Sequence, residues 1–152
     1  MDITWITDRL ALGGGIWTDD NMQQLVRAGI THVIDMQIEF DDTQLADPYG
    51  VEVLWLPVDD DFKPKAAELF QRGAEFARRA LDEPEGKLYV HCAAGVHRGP
   101  MMALAVLRVL GWTAEDAMSA IEHRRPVVDF ADVYVRSVEN FMRSYVEEEA
   151  ER

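Results

Sequence analysis

Apolar positions along the 152-residue chain change their period several times, and each change marks an element. Ile3-Thr4-Trp5-Ile6 and Leu10-Ala11-Leu12 read as two short strands around a Thr7-Asp8-Arg9 turn. Thr18 is placed to cap a helix that runs to about Ala28 and is ended by Gly29. Thr31 to Met36 reads as a buried strand, with His32 a structural residue. Residues 37–50 are acid-rich and carry Pro48 and Gly50, so they are expected to be irregular, a surface loop or one that contacts substrate. Val51 to Leu56 is the next strand. From about Pro64 to Leu81, Ala67, Phe70, Ala74, Phe76 and Ala77 recur at helical spacing. Lys87-Leu88-Tyr89-Val90 is a short apolar strand, and Gly99 to Leu110 a buried helix with Pro100 in its first turn. Thr113 opens another helix, with Glu115 and Asp116 in its first turn. A last helix is expected from near Asp129, where Phe130, Val133, Tyr134, Val138, Phe141, Met142 and Tyr145 form a core-packing stripe.

Strands that alternate with helices predict an α/β fold with a central, mostly parallel sheet of about four to five strands and helices on both faces. In such sheets ligands sit beyond the carboxyl ends of the strands. The whole of 1–152 reads as one domain, with a frayed acidic tail from about residue 147. Gly13-Gly14-Gly15 lacks both the dinucleotide fingerprint and the Lys-Ser/Thr ending of a P-loop, and is taken as a flexible turn.

Charge and composition narrow the function by exclusion. A net charge of −13 opposes binding to nucleic acid and to anionic membranes. No apolar run is long enough for a transmembrane helix, and the first residues lack the pattern of a signal peptide. One cysteine excludes an internal disulfide framework and fits a reducing cytoplasm, where the protein is expected. Oligomeric state is left open, with a monomer compatible.

That cysteine stands in the segment with most chemical content, His91-Cys92-Ala93-Ala94-Gly95-Val96-His97-Arg98-Gly99. A loop between a strand and a helix N-terminus gathers backbone N–H groups, and the helix dipole favours an anion there. The same field favours thiolate over thiol. Arg98, six positions after Cys92, can offer a planar fork to two phosphate oxygens. A zinc site would need paired ligands, and no second cysteine exists to supply one, so no metal and no organic cofactor is expected. The bland reading, a lone cysteine filling a core, fits poorly with His, Gly and Arg around it.

This spacing, Cys-x5-Arg preceded by His91 and carrying Gly95, resembles the signature loop of the cysteine-dependent protein phosphatases, in their compact dual-specificity branch. Asp60, thirty-two residues before Cys92 in Asp59-Asp60-Asp61, falls where that family carries its general acid. Arg124-Arg125-Pro126 resembles the segment leading into the family's last helix. The resemblance implies Cys92 as nucleophile and Arg98 with the N–H groups of Ala93, Ala94, Gly95, Val96 and His97 as the phosphate cradle. It further implies Asp60 as acid, preferred over Asp59 and Asp61, and His91 as a supporting residue. His97 is placed on the rim, and Gly99, next after Arg98, is counted with the substrate-binding residues.

The implied activity is phosphomonoester hydrolysis through a cysteinyl-phosphate, on a phosphorylated protein. Alternatives are the same chemistry on an inositol phosphate, a phosphoinositide or an RNA 5′-end, or a slow phosphate-binding module. Gly99 keeps the last alternative open, because the family usually has Ser or Thr there to help the sulfur leave. A rhodanese-type sulfur transfer fits the spacing and the upstream aspartate poorly.

Overall fold

The apolar run Leu88-Tyr89-Val90 becomes the centre of the sheet, buried on both faces as parallel sheets require. The computed structural model describes residues 1–151. Five strands, β1 (Ile3–Trp5), β2 (Leu10–Gly13), β3 (His32–Gln37), β4 (Glu52–Val58) and β5 (Leu88–His91), form one sheet in the order β1-β2-β5-β3-β4. Only the β1–β2 pair is antiparallel. The helices are α1 (Asp19–Arg27), α2 (Thr43–Ala46), α3 (Ala67–Asp82), α4 (Arg98–Val109), α5 (Ala114–Arg124) and α6 (Asp132–Ala150). Strand alternation divides the core. Leu10, Leu12, Ile34, Leu88 and Val90 pack with residues of α3 to α6, while Ala11, Val33 and Tyr89 pack with Met22 and Leu25 of α1 and Ala46 of α2. The α/β sheet with helices on both faces is therefore as its periodicity predicts.

Local chemistry explains most boundaries. Thr18 Oγ1 accepts from Asn21 N at 3.2 Å while Asn21 Oδ1 accepts from Thr18 N, a reciprocal cap on α1. Gly29, at φ 91°, then takes the left-handed conformation that ends it. Thr113 caps α5 through Asp116 N at 3.1 Å. Between β5 and α5 nearly every position of α4 is buried, so this helix is the spine of one layer.

Four expectations are revised. Residues 37–50 are not wholly irregular, because α2 and a 3₁₀ turn over Asp47–Tyr49 fill them, with Asp42 N held on Asp35 Oδ2 at 3.1 Å. Helix α3 starts at Ala67 rather than Pro64, because Lys65 N donates to Ser137 Oγ in α6. Likewise α6 starts at Asp132, not Asp129, whose N–H is committed to Val96 O at 3.0 Å. It continues through the acidic run to Ala150.

The glycine run is no flexible turn. Gly13 is paired in β2, Gly14 N donates to Asp2 O at 3.1 Å, and Gly15 N donates to Ala93 O at 3.0 Å. A Cβ at Gly13 would collide with Asp2 O and lie 2.6 Å from the Tyr89 hydroxyl. Among the described residues no helix is long and apolar enough to cross a membrane. Gly13→Ala is expected to cost about 1–3 kcal/mol by overpacking, read as a lower urea midpoint. A midpoint equal to wild type would show that the Asp2 strand yields freely.

Candidate active site

Cys92 follows the last residue of β5 and is 2% exposed, at the carboxyl edge of the sheet. From it the chain turns through Gly95, at φ 69°, into α4 at Arg98. The carbonyls of this turn are all held from outside. Ala93 O accepts from Gly15 N at 3.0 Å, Gly95 O from Arg125 Nε at 2.9 Å, and Ala94 O from Arg125 Nη2 at 3.2 Å. Val96 O accepts from Asp129 N at 3.0 Å, and His97 O from Met101 N at 3.1 Å. Among the described residues, the N–H groups of Ala93, Ala94, Val96 and His97 find no protein acceptor, and Gly95 N donates to Cys92 Sγ at 3.3 Å. Unpaired N–H groups in a turn whose sulfur already accepts one N–H make a candidate nest for an anion.

Arg98 is 6% exposed and is aimed by two partners. Its Nη1 and Nη2 donate to Glu39 at 2.7 and 2.9 Å, a bidentate pair, and Nη1 also donates to Val58 O at 3.0 Å. The guanidinium holds the Glu39 carboxyl down at about 2. Arg98 Nε is buried without a partner among the described residues, so an oxyanion in the nest would supply the acceptor it lacks.

Of the aspartate triplet, structure singles out Asp60. Its Oδ1 accepts from the Tyr134 hydroxyl at 2.9 Å and its Oδ2 lies 2.9 Å from His97 Nδ1, which ties it to the Cys92 loop. Asp61 is paired with Lys65 at 2.6 Å, and that ammonium lowers its pKa. Tyr134 also accepts Phe62 N at 3.1 Å, where Phe62 takes φ 57°, an uncommon conformation for a bulky residue. The core-packing reading of Tyr134 therefore missed its hydroxyl, which serves the acid loop.

His91 is sealed in the core. Parallel register places it between Gly13 and Asp35, so Asp35 shares its surroundings, together with Asp42 from the start of α2. Its Nε2 lies 2.5 Å from Asp42 Oδ2 and 3.7 Å from Asp35 Oδ1, and its Nδ1 3.2 Å from Cys92 O. All three side chains have no exposure. Burial pushes Asp35 up to about 7 and Asp42 up to about 8, and pushes His91 down. A neutral His91 that donates from Nδ1 to Cys92 O, with a protonated Asp42 donating to Nε2, is one arrangement that fits these directions.

Asp35, Asp42 and His91 also gather ligand-type atoms close enough for a metal ion, as do His32, Glu52 and Glu83 at the other end of the sheet. The sequence reading weighed metal only around Cys92. Glu39, Asp35, Asp42, Tyr134 and Arg125 were all absent from its candidate set. Arg125, which also binds Asp2 at 2.8 and 2.6 Å, was quoted only as part of a segment.

A strand–nest–helix unit with cysteine and arginine six apart, on this sheet, defines the fold of a cysteine-dependent phosphatase. Residues 15–144 match the dual specificity phosphatase catalytic domain, and the chain belongs to that family. It is 32% identical over 112 residues to dual specificity protein phosphatase 26 of Rattus norvegicus, covering 72% of this chain and 53% of the relative. The chain thus spans about half the length of that curated relative. Its fold superposes on the crystal structure of PTPMT1 with a TM-score of 0.84 at 23% identity, over 99% of each chain. The complex of PTPMT1 with PI(5)P gives 0.85 at 21% identity, over 97% of this chain and 99% of that one.

The buried cluster makes stability depend on pH. Asp35 and Asp42 keep protons when folded that the unfolded chain loses near pH ~4, so their contribution falls as pH rises toward about 8. His91 has the opposite sign, and its contribution falls as pH drops below ~6.5. The thermal midpoint should therefore fall on the order of several degrees from pH ~6.5 to ~9. Asp42→Asn, whose amide can still donate to His91 Nε2, should flatten that slope. An unchanged slope would place the retained proton elsewhere.

Proposed function

We propose that the chain hydrolyses phosphomonoesters through a cysteinyl-phosphate intermediate. The observation that carries this reading is the nest around Cys92 Sγ, closed by an arginine whose Nε lacks an acceptor. Cys92 thiolate attacks phosphorus while Arg98 and the N–H groups of Ala93 to His97 take the equatorial oxygens, which is mostly positioning and charge stabilisation. Asp60 gives a proton to the leaving oxygen, typically worth ~10²–10⁴-fold. Water then cleaves the S–P bond and returns a proton, and Cys92 is regenerated. His91 supports the loop by donating to Cys92 O.

For the substrate, the reading best supported is a non-protein monophosphate carried on an apolar body, such as a singly phosphorylated lipid. Four of the large exposed apolar side chains, Trp17, Ile38, Phe62 and Val127, stand within two residues of a group bonded to the loop or pack on His97 itself. Ala93, Ala94 and Val96 add no positive charge to the cradle, which disfavours polyphosphorylated ligands. The whole-chain likeness to a phosphatase crystallised with PI(5)P supports the same choice. A second reading, phosphotyrosine or phosphoserine/threonine in a protein, is favoured by the identity to a dual specificity protein phosphatase. Short-chain phosphatidylinositol monophosphate and a phosphotyrosine peptide should both be hydrolysed without added metal, with kcat/KM at least tenfold higher for the lipid. Cys92→Ser should abolish both while retaining vanadate binding. A preference for the peptide would install the second reading, and residual turnover in Cys92→Ser would remove the mechanism.

Gly99 bears on the rate of the second step. A Cβ there would lie 3.4 Å from Cys92 Sγ and 3.1 Å from Leu12 Cδ1, so a serine hydroxyl would adjoin the sulfur once Leu12 gave way slightly. Without it, formation of cysteinyl-phosphate should outrun its hydrolysis, giving a burst of one phenol per site on rapid mixing with an aryl phosphate. Gly99→Ser should shrink the burst and raise kcat about ten- to a hundredfold, the worth of one hydrogen bond to a charged group at roughly 1.5–3 kcal/mol. No burst in wild type would mean that the sulfur leaves unaided, and a phospho-enzyme that never turns over would favour a binding module.

A further inference from the structure

His97 lies between two carboxylates, and its position has a consequence beyond lining the rim. Nδ1 is 2.9 Å from Asp60 Oδ2 and Nε2 is 3.2 Å from Asp129 Oδ2. The imidazole is fixed in this bridge by the edge of Phe62, with ring centroids 5.0 Å apart and planes at 75°. Phe62 in turn stacks on Tyr134 at 5.7 Å. The groups facing His97 come from three places: Asp60 on the acid loop, Asp129 before α6, and Arg98 next along its own loop. Tyr134 of α6 acts on Asp60 from the far side.

Hydrogen-bond accounting assigns the proton. The single Tyr134 proton goes to Asp60 Oδ1, because Phe62 N–H already occupies a lone pair of that hydroxyl. Asp129 is a carboxylate with 69% side-chain exposure, so His97 Nε2–H donates to it. What remains is one proton between Asp60 Oδ2 and His97 Nδ1, and either placement leaves a complete hydrogen bond.

We propose that Asp60 and His97 hold the acid proton jointly, with Asp129 anchoring the imidazole and His97 acting as a positioning residue for the general acid. This rests on the phosphatase reading above and deepens it. In the first step the S–P bond forms, the P–O bond to the leaving group breaks, and the leaving oxygen takes the proton from the pair. In the second, water forms the new P–O bond, the S–P bond breaks with its electrons returning to sulfur, and the proton lost by water returns to the pair. A proton held in this way is kept in place by both groups, and removing the imidazole takes away one of its two holders.

The test compares wild type, His97→Asn, Asp129→Asn and Asp60→Asn on a nitrophenyl phosphate and on an alkyl phosphate across pH. His97→Asn should widen the ratio of kcat/KM between good and poor leaving groups about tenfold and move the alkaline limb of the profile to lower pH. His97→Gln, which can still bond Asp60 but cannot titrate, should share the shifted limb. Asp129→Asn, at an exposed position, should move the limb in the same direction by less. Vanadate binding retained in each variant shows an intact cradle. Equal losses on both substrates with an unmoved limb in His97→Asn and Asp129→Asn would overturn the joint acid, provided Asp60→Asn still discriminates between leaving groups. If Asp60→Asn does not discriminate either, the acid assignment itself falls.

Discussion

The whole site depends on where the carbonyls of one short turn find donors. A peptide group that presents its N–H inward must turn its C=O outward, and a buried carbonyl needs a partner. Here those partners are Gly15 N, Asp129 N and the Arg125 guanidinium. They come from the start of the chain and from the stretch before its last helix, so the nest is a tertiary object and not a local motif. Asp2 holds Arg125, Arg125 holds two carbonyls, and the N–H groups of the turn are left free, with that of Gly95 on the sulfur. The close glycine run serves the same end, because a Cβ at Gly13 would push the first residues away.

Electrostatics repeats the theme of distant support. In a chain of net charge −13, the proposed phosphate site has one arginine and backbone N–H dipoles with which to attract an anion. Glu39 pins Arg98 through Nη1 and Nη2 and leaves the Nε donor unpaired. Beneath the loop, burial raises Asp35 and Asp42 well above the usual carboxylate range, which eases the repulsion between two buried acids beside His91. Above it, the acid loop is fastened by two hydroxyls of α6, Tyr134 to Asp60 and Phe62, and Ser137 to Lys65.

What could be read from the sequence was whatever a local rule encodes. The strand Leu88 to His91 and the buried helix after it follow from hydrophobic runs, and Thr18 and Thr113 announce their helices as caps. The cysteine loop is legible because its chemistry sits within eight residues. Glu39 is not, since one acid among Asp41, Asp42 and Asp47 carries no mark of having an arginine partner fifty-nine positions on. Arg125 looks like any basic residue at a helix end until the fold brings Gly95 beneath it. The starts of α3 and α6 were misplaced for the same reason. Lys65 and Asp129 stand shortly before their helices, but their N–H groups are spent on contacts that no periodicity shows.

The burial of Cys92 also governs its redox chemistry. At 2% exposure little of its surface is open to an oxidant. On the phosphatase reading, phosphate held at the loop would shield the sulfur against peroxide by simple occupancy. A sulfenic acid formed there has no second thiol within these 152 residues with which to close a disulfide. Its reduction requires a thiol from outside those residues. The burial that guards the sulfur thus also limits which reductant reaches it.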